Sequence, residues 1–487
     1  MNGPIRKVSI AIFIAFALLL LDVTYIQAIA GPGYRDDPRN PRVQIGISEK
    51  ERGLIIDADG VRLARSEQVT GDRKAFVRIY PEGSLFAHSV GYTSSLFGDW
   101  GLESTYATDL RSKRDLTISD LLDALLGRDL QARNLELTLV ADLQRVASDA
   151  LGGQRGAIVA IDPSTGAVLA MVSMPSFDPN SLIDNTAGPA WEVLSSDVDE
   201  PLKDRATRES YAPGSTFKVI TAAAAIEAGV AGPDTLFANP AALELPGSTA
   251  LIRNFAGTLC GDGDEVSLRE AFRRSCNTVF GQLAMDLGAS VLEQQAEAFG
   301  FNREIPFEWD ALSGFFPAAT AIDSDLPTLA QSGLGQRDVQ ATPLLMAMVA
   351  ATIANGGRQM EPYMVANIYD AAGDLVDERV PSVWATPISP ATAEVVAGMM
   401  EQVVASGTAT RAAVPGVRVA GKTGTAETEI GPPHAWFIGF APVENPTIAV
   451  AIVVEDGGDA GENATGGSVA APIAQQLFEY WLLNRGS

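Results

Sequence analysis

Lysine, histidine and cysteine are all scarce in this 487-residue chain, and each shortage closes off a chemistry. The two histidines, His88 and His434, and the two cysteines, Cys260 and Cys276, cannot make up a zinc site or an iron cluster. A Ser-His-Asp triad would have to rest on His434 alone. No glycine-rich loop of phosphate-binding spacing opens a helix, so nucleotide chemistry is not expected. No metal and no cofactor are therefore expected. Positive charge is short as well: 35 basic against 60 acidic residues leave a net charge of −25, a field that repels nucleic acid.

Long apolar runs are confined to the amino end. Arg6-Lys7 precede a run from Val8 to Leu21, and after Asp22 it resumes to Ala30. That is about the length that crosses a bilayer, and the basic flank would stay in the cytoplasm. A retained anchor and a cleaved signal peptide both fit. Ala28-Ile29-Ala30 has the small-x-small form of a cleavage site, and Asp22 is costly inside a membrane. Export follows from either. A Pro/Gly/Arg-rich linker, 31–42, comes next. From Glu51 to Ala64 the pattern alternates into and out of Asp59-Gly60, which predicts a β-hairpin.

What lysine there is carries the signal. The seven lysines are Lys7, Lys50, Lys74, Lys113, Lys203, Lys218 and Lys422; arginine supplies the other positive charge. Lys218 closes Tyr211-Ala212-Pro213-Gly214-Ser215-Thr216-Phe217-Lys218, and Lys422 opens Lys422-Thr423-Gly424-Thr425. Lysine, unlike arginine, can lose its proton near neutral pH. Residues at i and i+3 share a helix face, so the Lys218 amine can serve the Ser215 hydroxyl as a base. Pro213-Gly214 is a natural helix entry, where the dipole stabilises a developing oxyanion. Alone, S-x-x-K is a weak signal that a capping serine and a surface lysine also satisfy. Ser275-Cys276-Asn277, after a helical stretch Ser267–Arg274, completes the order S-x-x-K, S-x-N, K-T-G.

Those three motifs, with Gly156–Pro163, Met171–Asn180, Gly333-Leu334-Gly335-Gln336 and Ala435–Phe440, resemble the transpeptidase domain of class B penicillin-binding proteins. Arg52-Gly53-Leu54-Ile55-Ile56-Asp57 and Gly101–Tyr106 resemble that family's non-catalytic module, with Arg52 and Glu103 as a candidate pair. High alanine and arginine with little lysine point to a GC-rich genome, and the whole resembles the actinobacterial subgroup of that family. The resemblance implies four segments: a cytoplasmic tail (1–7), a transmembrane anchor (8–30), an amino-terminal pedestal or dimerisation module that is mainly β (31–150), and the transpeptidase domain (151–487). About 120 residues lie between anchor and catalytic domain, too few for a glycan-polymerising domain as well.

The expected fold class is α/β, or α+β layered: a central antiparallel sheet flanked by helices. Strands are expected at 156–161, 167–173, Val417–Ala420, Trp436–Phe440 and Ile448–Val454, with a closing helix Val469–Leu483. The alanine run Ala222–Ala228 reads as core helix. The acidic stretch Glu455–Glu462 lacks the alternating ligand spacing of a calcium loop and reads as a solvated hairpin loop.

The roles implied by the resemblance are these. Ser215 attacks the D-Ala-D-Ala carbonyl; Lys218 is its base; Ser275 relays a proton to the departing amine; Asn277 holds the substrate backbone. Lys422 supplies positive potential, and the Thr423 and Thr425 hydroxyls bind the substrate carboxylate. Gly424 lets the acyl donor lie against the strand, and the Ser215 and Thr425 N–H groups form the oxyanion hole. Partners would be peptidoglycan stem peptides, β-lactams and a glycan polymerase, with no nucleic acid. Cys260 and Cys276, sixteen residues apart, are either bridged in an oxidising compartment or two semi-buried thiols. Two other functions use the same residues: a β-lactamase or β-lactam sensor, and an idle scaffold.

Overall fold

The computed structural model describes residues 2–25, 51–69, 75–111, 132–183, 187–428 and 431–485. Asn2–Tyr25 is one helix, and its segment Arg6–Tyr25, with mean hydropathy 2.3 and no buried surface, is long and apolar enough to cross a membrane. The expected continuation to Ala30 and the linker 31–42 lie outside the described residues.

The catalytic part is built on five antiparallel strands in the order Ala420–Ala426, His434–Ala441, Ile448–Val454, Gly156–Ile161, Val168–Met174. Gly156–Ile161 and Ile448–Val454 are apolar without alternation, and every residue in them is buried. A strand of that kind needs cover on both faces. Ala141–Leu151 and Ala470–Asn484 pack together against the sheet, and Pro343–Ala354 pairs with Pro390–Ser406 on the same strands and their neighbours. Pro343–Ala354 is apolar all round and buried almost throughout, as a central helix must be.

The strand expected at Val417–Ala420 instead begins at Ala420 and runs to Ala426. Hydrophobicity drew the expectation upstream. Pairing decides the matter, since Lys422, Thr423, Gly424 and Thr425 lie opposite Ile438, Phe437, Trp436 and Ala435. The acidic stretch is likewise an irregular 3-10 segment, Glu455–Asn463, with positive φ at Asp456, Gly457, Gly458 and Gly461.

The amino-terminal sheet has six strands in the order Leu375–Glu378, Val365–Tyr369, Asn134–Leu137, Ile55–Ile56, Arg62–Val69, Ala75–Ile79. Its first two strands come from far beyond residue 150, so the sheet crosses the expected domain boundary. The hairpin at Asp59-Gly60 forms, with Ile55 opposite Ala64. Asp57 tightens it by accepting the N–H groups of Asp59 and Val61, and its other oxygen accepts Ala141 N at 2.9 Å, tying the hairpin to the first catalytic-side helix.

Behind this sheet lies a buried ionic cluster. Glu103, fully buried, receives Arg52 Nε at 2.5 Å, Arg78 Nε at 2.6 Å and the Tyr80 hydroxyl at 3.1 Å. Burial pushes the Glu103 carboxyl up, but the two guanidiniums outweigh it and hold it below its usual value. Tyr80 carries the link onward: its backbone N and O bond the Asn180 side chain at 2.9 Å each.

Candidate active site

Gly214–Phe217 is one 3-10 turn that runs directly into the helix Lys218–Glu227. The turn is pinned from behind: Gly214 N donates to Gly335 O at 2.8 Å. Gly335 has φ +71°, and a Cβ there would sit 2.4 Å from the Gly214 carbonyl oxygen, so only glycine fits. Ser215 is half-buried on this turn. One turn later Lys218 is wholly buried.

The other two motifs close around that lysine. Lys218 Nζ lies 2.8 Å from Ser275 O, 2.7 Å from Asn277 Oδ1 and 3.3 Å from Ser275 Oγ. Lys422 Nζ, also wholly buried, lies 2.8 Å from Ser275 Oγ and 2.9 Å from Thr423 O. The Ser275 hydroxyl thus bridges two amines. Ser275 reaches this position by ending the helix Leu268–Arg274 in the left-handed region, φ 62° and ψ 44°, which is uncommon for a residue with a side chain.

No carboxylate pairs with either lysine among the described residues. Burial pushes the Lys218 amine well below its ordinary 10.5, and the neighbouring Lys422 charge pushes it further. Burial alone takes Lys422 to about 7. A neutral Lys218 satisfies its neighbours well. Its two N–H groups meet the obligate acceptors Ser275 O and Asn277 Oδ1, leaving a lone pair for a hydroxyl proton.

The strand residues sort by face. The Thr423 hydroxyl lies 2.6 Å from that of Thr408, and Thr425 Oγ1 accepts Gly466 N at 3.4 Å. Gly424 belongs to the opposite face. A Cβ there would meet Pro213 O at 2.8 Å, a Thr216 methyl at 3.0 Å and Trp436 Cβ at 3.1 Å. Gly424 is therefore glycine because the nucleophile's turn packs on it. Cys260 and Cys276 are joined as a disulfide with Cα atoms 5.8 Å apart.

Thr408, Gly466 and Arg253 also touch the motif residues, Asn254 holds the next residue, Thr278, and motif reading did not find them. Only Gly335 had a signal, inside Gly333-Leu334-Gly335-Gln336. His434 sits at the start of its strand, its Nδ1 accepting Asp456 N at 3.0 Å, outside the contacts of the two lysines.

Comparison with known proteins agrees with this geometry. Residues 156–479 match the penicillin binding protein transpeptidase domain, and residues 52–135 the penicillin binding protein A dimerisation domain. The chain belongs to the penicillin-binding protein transpeptidase family. The chain is 41% identical to the peptidoglycan D,D-transpeptidase PbpA of Mycolicibacterium smegmatis over 98% of both chains. It is 40% identical to PbpA of Mycobacterium tuberculosis over 98% of this chain and 99% of the relative. Among solved structures, the ceftriaxone acyl-enzyme of M. tuberculosis penicillin-binding protein A superposes with a TM-score of 0.84. It is 38% identical and the match covers 89% of this chain and 99% of that one. The penicillin G acyl-enzyme of the same protein gives 0.82 at 39% identity, covering 89% and 100%. The actinobacterial subgroup implied by the resemblance agrees with these relatives.

Proposed function

We propose that the chain is a serine peptidoglycan D,D-transpeptidase that β-lactams acylate. The observation that carries this reading is the Ser275 hydroxyl held between two buried amines, of which Lys218 stands a single turn after Ser215 and is pushed well below its ordinary pKa by burial. Ser215 attacks the carbonyl of the D-Ala-D-Ala bond while its proton passes to Lys218 Nζ. The Ser215 and Thr425 N–H groups receive the oxyanion. The proton then moves through Ser275 to the departing D-alanine amine, leaving the acyl group on Ser215. The amine of a second stem peptide attacks that ester, and Lys218 takes the amine's proton and returns it to the Ser215 oxygen as the acyl–oxygen bond breaks and the crosslink forms. Asn277 orients the donor backbone. Lys422 and the hydroxyls of Thr423 and Thr425 bind its carboxylate, Lys422 doing so through charge.

The apolar helix Arg6–Tyr25, with Arg6-Lys7 at its start, supports the proposal of a single-pass anchor with the catalytic part outside the plasma membrane. The pedestal, 31–150, sets its height, and a separate glycan polymerase supplies the strands to be crosslinked.

Labelling the full chain with a fluorescent penicillin tests the assignment. Persistent label on the parent and none on Ser215→Ala is expected. Rapid loss of label with hydrolysed drug would make the protein a β-lactamase, and no label on either would make it a scaffold.

A further inference from the structure

The helix Asn277–Leu287 begins at the motif residue, yet its own N-cap residue offers it nothing. That residue is Cys276, whose side chain makes no capping hydrogen bond and whose sulfur is committed to Cys260. The first turn of a helix leaves backbone donors without partners, and a buried one needs an acceptor from elsewhere. Here the acceptor comes from 24 residues upstream. Asn254 Oδ1 lies 3.0 Å from Thr278 N and 3.2 Å from Thr278 Oγ1, while Asn254 Nδ2 donates to Thr258 O at 3.2 Å. Asn254 is 8% exposed, and Thr278 is buried.

The adjacent residue acts on the motif directly. Arg253 O accepts Asn277 Nδ2 at 2.9 Å, which turns the opposite end of that amide, Oδ1, toward Lys218 Nζ at 2.7 Å. An amide rotated by half a turn would present donors to the amine and leave Lys218 without one of its two carbonyl acceptors. The backbone at 253–254 therefore sets which end of Asn277 faces the base, and the Asn254 side chain locks that backbone to the helix carrying Asn277. The segment is held at its far end as well: Cys260 N donates to Asn239 Oδ1 at 2.8 Å, and Asn239 Nδ2 to Gly263 O at 3.0 Å.

We infer that Asn254 is a positioning residue for acylation, acting through Asn277 on the orientation of the Lys218 amine. This rests on the reading of Ser215, Lys218 and Asn277 given above. Asn254 touches neither substrate nor reacting atoms, so its loss lowers the rate of the chemical step more than it weakens non-covalent binding.

The test is stopped-flow acylation of the full-length protein by a chromogenic cephalosporin, resolving the limiting acylation rate from the apparent dissociation constant, with thermal unfolding alongside. Asn254→Ala should lower the limiting rate by roughly tenfold to a hundredfold, the scale of an ångström-sized misplacement, with the apparent dissociation constant held within about threefold. Asn254→Asp keeps an oxygen opposite Thr278 N and should restore the rate to within about threefold of the parent. An unchanged rate in Asn254→Ala, while Asn277→Ala is slowed, would overturn the inference and leave the site intact. Equal losses of rate, affinity and unfolding midpoint in both Asn254 variants would overturn it in favour of a general folding role. An unchanged rate in Asn277→Ala would overturn the site reading itself, and this inference with it.

Discussion

Two of the charged clusters buried among the described residues are built on opposite rules. In the pedestal, Glu103 is neutralised by Arg52 and Arg78, with Asp99 also on Arg52 at 3.2 Å, so opposite charges meet and stay ionised. In the active site, Lys218 and Lys422 share one serine hydroxyl and, among the described residues, no carboxylate, so burial lowers both amines below their ordinary 10.5. Arginine suits the first because its fork is always charged and matches a carboxylate. Lysine suits the second because its proton can be lost. The first cluster is a joint; the second is a base.

The contrast is broken most sharply by exchanging the rules. Lys218→Arg places a permanent cation where a neutral amine is needed, and acylation should fall by about 10²–10⁴ or more, the usual worth of a general base. Retained turnover with a fluorescent penicillin would end the base assignment. In the pedestal the same kind of insult should spare the chemistry. Glu103→Ala leaves buried Arg78 without a carboxylate and Arg52 with Asp99 alone, and should cost about 3–5 kcal/mol in denaturant unfolding, while the acylation rate of the remaining folded molecules stays near that of the parent. A matching loss of rate would mean that the pedestal shapes the site.

A smaller effect is expected from the disulfide, which braces the basic site without touching its amines. The bridge closes a sixteen-residue separation, so reduction should destabilise the catalytic part by roughly 3 kcal/mol in the chain-entropy account. Unfolding curves with and without reductant measure it; coincident curves would refute it.

The smallest effect is in the pH dependence. Both lysines are held below 10.5, so between about 7 and 10.5 the unfolded chain binds more protons than the folded one. Folding stability from these groups therefore rises with pH across that window and is reduced on the acid side. Lys422→Met should flatten the rise above about pH 7, whereas Glu103 variants should leave its slope unchanged. A slope unaffected by Lys422→Met would mean that Lys422 keeps its proton in the folded state.

Local pattern carried much of this. The fully apolar strands Gly156–Ile161 and Ile448–Val454 and the closing helix Ala470–Asn484 are readable because burial on both faces, or along one stripe, leaves a mark on consecutive residues. Ala420–Ala426 was misplaced because its glycines and threonines carry no such mark; pairing with His434–Ala441 makes it a strand.

Sequence alone determined the chemical inventory: two lysines in a chain that otherwise prefers arginine, each in a motif of fixed order around Ser275 and Asn277, with Ser215 one turn from its base. That information is local, since a helical turn places i beside i+3 whatever surrounds it. Tertiary structure alone decided what surrounds those residues. It turned Gly424 toward the nucleophile's turn, put Arg253 and Asn254 behind Asn277, and carried Val365–Glu378 across to the pedestal sheet. Each of those contacts joins residues 24 or more positions apart, and no periodicity along the chain encodes which distant backbone will fill a given hydrogen bond.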